Sequence, residues 1–204
     1  MSISPTALAD RLSGVLLTAE TASGFDVRGR TDAAVLVALY VDRGRLHAVF
    51  TKRRDDLRRH PGEISFPGGR RDDTDADLEA TALREAEEEI GLPPAAVRVL
   101  GALPPTPTIV TGYAVYPFVG LIEPGMAWTL SAREVAAVLE LALDDLLAGY
   151  ARRRLVRRGI PIRTDTYVVG DDLIWGATAR ILADLLHRIG PMLNGMRAAP
   201  HRAN

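Results

Sequence analysis

Residues 33–41 form a nearly unbroken β-branched and apolar run, the pattern of a strand covered on both faces. Asp42-Arg43-Gly44 then signals a turn, and residues 46–52 return as a second strand, so a hairpin is expected. Upstream, Leu8, Leu12, Val15 and Leu16 recur at helical spacing over residues 5–17. A charged loop over residues 53–69 closes on Phe66-Pro67-Gly68-Gly69. The pattern then turns helical from about residue 77 to residue 90, where Gly91 and Pro93-Pro94 stop it. Residues 97–103 and 113–122 read as strands separated by a proline-rich loop. Residues 135–143 are too short an apolar run to separate strand from helix. A short helix near residues 144–147, a ribbon over 154–169 and a closing helix over 177–189 follow. Strands flanked by helices on either side predict an α/β (α+β) sandwich.

At 204 residues with 47% hydrophobic side chains, the chain is long enough for one core and too short for two full catalytic domains. A single domain over residues 1–190 is expected, with 191–204 as a loose tail. Twenty-five basic against 26 acidic residues give a net charge of −1, so nothing global favours nucleic acid or anionic lipid. The absence of cysteine excludes disulfides, thiolate metal sites and cysteine nucleophiles. No apolar run is long enough for a membrane span, and no secretion signal is apparent. A cytoplasmic protein is expected.

The chemistry concentrates in Arg84-Glu85-Ala86-Glu87-Glu88-Glu89-Ile90-Gly91-Leu92. At about 100° per residue, Glu85, Glu88 and Glu89 share one helix face about 100° wide. Ala82, Leu83, Ala86 and Ile90 form a separate apolar stripe. Like charges stacked on one face are destabilising unless something neutralises them. Hard divalent cations take such carboxylates, so the face reads as a Mg²⁺ or Mn²⁺ cluster or, more plainly, as a solvated acidic helix. Asp72, Asp73, Asp75 and Asp77 crowd the helix start, where capping accounts for one of them. Arg84 is placed either to clamp the carboxylates or to form a surface ion pair.

From Gly69 to Leu92 the chain resembles the Nudix box of hydrolases that act on nucleoside diphosphates linked to another moiety. The half from Arg84 to Leu92 matches position by position. The first half is one residue longer than usual and lacks the expected glutamate, with Asp75 the nearest acid. Thr51-Lys-Arg53, Arg58, Gly62 and Phe66-Pro67-Gly68-Gly69 resemble the segment preceding the box in the coenzyme A pyrophosphatase branch. Arg54 stands where that branch has Ser or Ala. Leu103-Pro-Pro-Thr-Pro-Thr108 with Gly112, Pro117-Phe118-Val119-Gly120 and Ile174-Trp175-Gly176-Ala177-Thr178 extend the likeness to most of the chain.

The resemblance implies an α/β/α sandwich with a mixed central sheet and a loop-helix-loop catalytic motif. It implies hydrolysis of coenzyme A or acyl-coenzyme A to 3′,5′-ADP and a 4′-phosphopantetheine moiety. Glu85, Glu88 and Glu89 would hold Mg²⁺ or Mn²⁺, with Arg84 beside them and Gly68 and Gly69 allowing close approach of substrate. Arg53, Arg58 and His60 would bind its phosphates, for which guanidinium groups are suited. A box glutamate or Glu134 would take the proton of the attacking water, although Ser131-Ala-Arg-Glu134 is also a capping-box pattern. ADP-ribose, dinucleoside polyphosphates and nucleoside triphosphates are alternative substrates, and a non-catalytic nucleotide-binding module is an alternative class. Nudix proteins often dimerise, so a homodimer is compatible, while neither nucleic acid nor membrane is an expected partner. The second basic run, Arg152 to Arg154 with Arg157 and Arg158, lacks interleaved aromatics and reads as a solvated edge.

Overall fold

The structure is a computed structural model describing residues 4–25, 27, 31–57, 60–108, 112–157 and 160–197. In chain order the elements are α1 (Pro5–Ser13), α2 (Ala19–Ser23), β1 (Thr31–Asp42), β2 (Arg45–Arg53), β3 (Ile64–Ser65), β4 (Gly68–Arg70) and α3 (Leu78–Ile90). After a 3₁₀ turn at Pro94–Ala96 come β5 (Arg98–Ala102), β6 (Thr106–Pro107), β7 (Tyr113–Leu121), β8 (Val135–Ala142) and α4 (Leu143–Ala148). The chain continues through β9 (Tyr150–Arg157), β10 (Ile160–Val169), β11 (Asp172–Trp175) and α5 (Gly176–Arg197).

The apolar run of β1 divides between two cores, because successive side chains of a strand point to opposite faces. Ala33, Val37 and Leu39 join a cluster with Leu8 and Leu12 of α1, Leu143 and Leu146 of α4, and Leu182 and Leu185 of α5. Ala34, Leu36, Ala38 and Tyr40 pack instead with Leu78, Ala82, Ala86 and Ile90 of α3. Each fully buried leucine or isoleucine contributes about 2 kcal/mol through the water it sheds. Helices therefore cover both faces of the sheet, and most of its central strands is buried.

That sheet runs β3-β2-β1-β7-β5, with β4 also on β1, β6 on β7 and β8 on β2. It is mixed: β1 and β7 are parallel, with Thr31 opposite Tyr113 and Leu39 opposite Leu121, while β1 and β2 form the expected antiparallel hairpin. The ambiguous run after residue 134 is a strand, since it fills the free side of β2 from Arg53 to His47. The expected ribbon is a three-stranded antiparallel sheet, β11-β10-β9, that begins at Tyr150. Arg152, Arg153 and Arg154 are exposed on its outer strand.

The C-terminal expectation needs correcting. The last helix does not stop at residue 189 but continues through Pro191 to Arg197. Proline removes one helical hydrogen bond, yet Met192 and Leu193 beyond it are buried in the same cluster as Leu185 and Ile189, and this packing carries the helix on. Residues 198–204 lie outside the described residues. Among those described, no helix is long and apolar enough to cross a membrane.

Candidate active site

Phe66 anchors the loop that delivers the glycines. Its ring stacks on Phe50 with centroids 4.6 Å apart, in the α5-side core. The Pro67 carbonyl then accepts from the Leu36 amide at 2.8 Å, and Gly68, Gly69 and Arg70 zip against Val35, Ala34 and Ala33 of β1. This zipper is tight. A Cβ on Gly68 would lie 2.3 Å from the Ala34 carbonyl oxygen, and one on Gly69 would lie 2.5 Å or less from the Glu85 carboxylate.

α3 begins and ends where its chemistry requires. Asp77 caps it by accepting from the Ala80 amide at 2.8 Å, and Gly91 ends it in the left-handed conformation at φ 69°. Ala82, Ala86 and Ile90 face the sheet, which turns Glu85 and Glu89 toward β4. Glu89 is only 7% exposed, and its Oε2 accepts from the Gly68 amide at 3.2 Å. Glu88 is different. Its side chain is 60% exposed and reaches Arg84 at 3.3 Å rather than the other glutamates.

Arg84 is the hub of the acidic face. Its Nε and Nη2 fork onto the Asp75 carboxylate, and Nη1 donates to Glu85 at 3.1 Å. Nη2 also meets the Arg70 carbonyl at 3.1 Å, tying the helix to the glycine strand. The Asp75 side chain, 5% exposed, further accepts from the Thr81 hydroxyl and the Asp72 amide. The guanidinium holds its carboxyl well below the usual carboxylate range. Sequence reasoning noted Asp75 but did not find this role. Its signal was the surplus of aspartates beyond the one that caps the helix.

Glu134 reaches the site through the backbone. The Thr129 and Ser131 amides donate to the Ile90 and Glu89 carbonyls at the end of α3, laying residues 129–134 across the helix terminus. Ser131 to Glu134 closes a turn into β8, so the capping-box alternative fails: no helix follows. Glu134 Oε2 lies 3.4 Å from Arg53 Nη1. The Arg53 amide donates to the Glu63 carbonyl at 3.0 Å, docking the turn that carries His60, whose Nδ1 is hydrogen-bonded to the Glu63 carboxylate. Arg54 is occupied by Asp56 and the Ala132 carbonyl. Arg58 lies outside the described residues.

Burial raises the carboxyl of Glu89 to about 7, with the Gly68 amide opposing and Glu85 adding to the rise. Burial also raises Glu85, against the pull of Arg84. Two desolvated carboxyls on one helix face, one of them seated against a glycine that has no side chain to displace it, fit a hard divalent cation. Among the described residues no three acidic or imidazole groups gather closely enough to enclose an ion, because Glu88 is turned to Arg84. Glu85 and Glu89 are therefore the two desolvated carboxyls of the face, and Glu88 is the exposed one, paired with Arg84.

A sequence model of the NUDIX domain matches residues 30–157. The chain is 43% identical over 167 residues to the "Uncharacterized Nudix hydrolase NudL" of Enterobacter sp. (strain 638), covering 81% of this chain and 86% of that one. To the NudL of Escherichia coli O1:K1 / APEC it is 44% identical over 160 residues, covering 78% and 82%. In fold it is similar to a MutT/nudix family protein from Enterococcus faecalis, with TM-score 0.55 and 13% identity over 96% of this chain and 80% of that one. A C. elegans Ap4A hydrolase in a binary complex gives TM-score 0.54 and 16% identity over 81% and 98%. Nudix hydrolases use divalent metal ions, in keeping with the donor pair on α3. The domain match spans β1 to β9, and the relatives share two residues in five along four-fifths of the chain, so this protein belongs to the Nudix hydrolase family.

Proposed function

We propose that this enzyme hydrolyses the diphosphate of coenzyme A or acyl-coenzyme A, releasing 3′,5′-ADP and 4′-phosphopantetheine or its acyl form. The observation that carries the reading is the position of Arg53. It comes from the segment that resembles the coenzyme A branch, sits against Glu134, and its charge acts on Glu89. Phosphate recognition and the acidic helix thus meet at one point.

Glu85 and Glu89 would hold the divalent cation, Mg²⁺ or Mn²⁺, which there supplies charge neutralisation on the diphosphate and a more acidic attacking water. Arg84, fixed by Asp75, sets the direction of the Glu85 carboxylate. Glu88 stands at the rim, paired with the same arginine. Arg53, Arg58 and His60 bind the diphosphate oxygens, and Gly68 and Gly69 let it approach the backbone. Glu134, half-exposed beside Arg53, takes the proton of the water. The reading needs only a small nucleotide substrate, and places the enzyme with it in the cytoplasm.

The test is product mass after incubation with Mg²⁺ or Mn²⁺ of coenzyme A, dephospho-coenzyme A, ADP-ribose and diadenosine polyphosphates, beside a Glu89→Gln control. Release of 3′,5′-ADP from coenzyme A, lost in the control, is expected. Cleavage of ADP-ribose or a dinucleotide instead would overturn the substrate while keeping the chemistry.

A further inference from the structure

An open polar cavity of about 330 Å³ lies beside the acidic helix, lined by Thr31, Asp32, Arg70, Arg71, Asp72 and Asp73. Its size is at the lower end of small-molecule sites. Two arginines frame it, and both are held by backbone atoms. The Arg70 carbonyl accepts from Arg84, the Arg71 amide donates to the Asp32 carbonyl at 3.1 Å, and Arg71 Nη2 lies 3.4 Å from the Asp75 carbonyl. Among the described residues neither guanidinium forms an ion pair with a carboxylate. Asp72 leans instead toward Arg84, at 4.0 Å.

We infer that this cavity receives the ribose 3′-phosphate of the substrate, gripped by Arg70 and Arg71. The inference rests on the coenzyme A reading above. Gly69 faces Glu85, where that reading places the diphosphate, and Arg71 follows two residues on, about 7 Å along an extended chain. This is the scale on which a ribose separates its 5′ and 3′ substituents. Planar guanidinium groups match phosphate oxygens in pairs. The Asp32 carboxylate and Thr31 hydroxyl accept from the sugar hydroxyl or the adenine amine. With Asp32, Asp72 and Asp73 against two arginines, the lining suits a nucleoside phosphate that also offers hydroxyl and amine donors, not a bare anion. It also separates two tasks: Arg53 and His60 for the reacting diphosphate, Arg70 and Arg71 for the phosphate that is not cleaved.

The test is calorimetric titration of 3′,5′-ADP and of 5′-AMP into the wild-type protein and into Arg70→Ala/Arg71→Ala, with hydrolysis of coenzyme A and dephospho-coenzyme A measured on the same preparations. The wild type is expected to prefer 3′,5′-ADP by about tenfold or more, the scale of a charge-assisted contact. In the double variant that preference, and the KM advantage of coenzyme A over its dephospho form, should fall toward one. Arg70→Gln/Arg71→Gln keeps the stems, removes the charges and gives the same reading if the alanine pair does not fold. Equal affinities in the wild type, or a preference that survives both pairs of substitutions, overturns the subsite. A wild type that prefers 3′,5′-ADP yet leaves coenzyme A intact keeps the subsite and removes the proposed substrate.

Discussion

Arg84 holds Asp75 through two parallel hydrogen bonds, Nε to Oδ1 at 2.8 Å and Nη2 to Oδ2 at 3.0 Å, while its third nitrogen reaches Glu85 and Glu88. One guanidinium thereby connects the loop before α3 to the carboxylates on it. Glutamates at 85, 88 and 89 repel one another by about a few tenths of a kcal/mol per pair, and this counter-charge offsets that cost. Asp75 in turn prevents the guanidinium from being drawn wholly onto the glutamates, which leaves Glu85 oriented but not neutralised.

Asp75→Asn should therefore cost more than a surface substitution. The amide cannot receive both guanidinium bonds, and Arg84 would lose its largest partner while three-quarters covered. A loss of about 2 kcal/mol in urea-unfolding stability at neutral pH is expected, with a fall in kcat as Glu85 loses its orientation. The pH sense is fixed by the depressed carboxyl of Asp75. Its contribution is present above the ordinary aspartate value of about 3.9 and disappears as pH falls through the lower folded value. The gap between wild type and variant should accordingly narrow in acid. A variant as stable as the wild type at pH 7 would show that the pairing is not structural.

Glu89 predicts the opposite sense. Burial raises its carboxyl to about 7 in the folded protein, against about 4.3 in an unfolded chain. A raised carboxyl favours the fold below the unfolded value, and that contribution is lost as pH rises through the folded one, amounting to about 3–4 kcal/mol. Metal-free Glu89→Gln should thus be more stable than the wild type at pH 8 and no more stable at pH 5. Added Mg²⁺ should raise the thermal midpoint of the wild type above pH 7, with a weaker effect below it, where the cation must displace a proton. Parallel stability profiles for the two proteins between pH 5 and 8 would contradict the buried carboxyl.

Much of this was readable in advance where local chemistry decides. The two-sided strand β1, the cap at Asp77 and the stop at Gly91 follow from periodicity and from residues with few alternatives. The helical wheel correctly put Glu85 and Glu89 on one face. It could not give the end point of the Glu88 carboxylate, because a wheel fixes where a Cβ points and not where a flexible side chain ends, and here that end pairs with Arg84. Asp75 and Glu134 were legible as acids but not as partners. Their positions depend on a loop folding back to Arg84 and on backbone bonds from residues 129–131 to the end of α3, contacts between segments that no local pattern encodes. The same holds for α5. Pro191 reads as a stop, and the burial of Met192 and Leu193 outweighs it.

Glutamine substitutions along α3 should separate the three glutamates. Glu85→Gln and Glu89→Gln remove oxygens from the proposed donor pair and should each lower kcat/KM by about a hundredfold or more. Glu88→Gln removes a half-exposed partner of Arg84 and should cost about tenfold or less. Steady-state kinetics at saturating Mg²⁺ tests the order, with circular dichroism to verify that each variant is folded. A Glu88 effect equal to the other two would mean that its carboxylate leaves Arg84 and joins the cation in the working enzyme.

The adjacent glycines should fail in different ways when replaced by alanine. At Gly69 the added methyl meets the Glu85 carboxylate at 2.4 to 2.5 Å, the far end of a side chain that can swing aside. Gly69→Ala should keep its unfolding midpoint within about 1 kcal/mol of the wild type and lose affinity for Mg²⁺ and most of its turnover. At Gly68 the methyl meets the Ala34 carbonyl oxygen at 2.3 Å and the Val35 Cα at 2.6 Å, at a φ of 155°. Neither is a side-chain end, so β4 must peel away from β1, and Gly68→Ala should lose about 2–3 kcal/mol of stability as well as activity. Unfolding curves and metal titrations on the two variants separate these outcomes. If Gly69→Ala binds Mg²⁺ as the wild type does, the position of the Glu85 carboxylate against Gly69 is not what holds the cation.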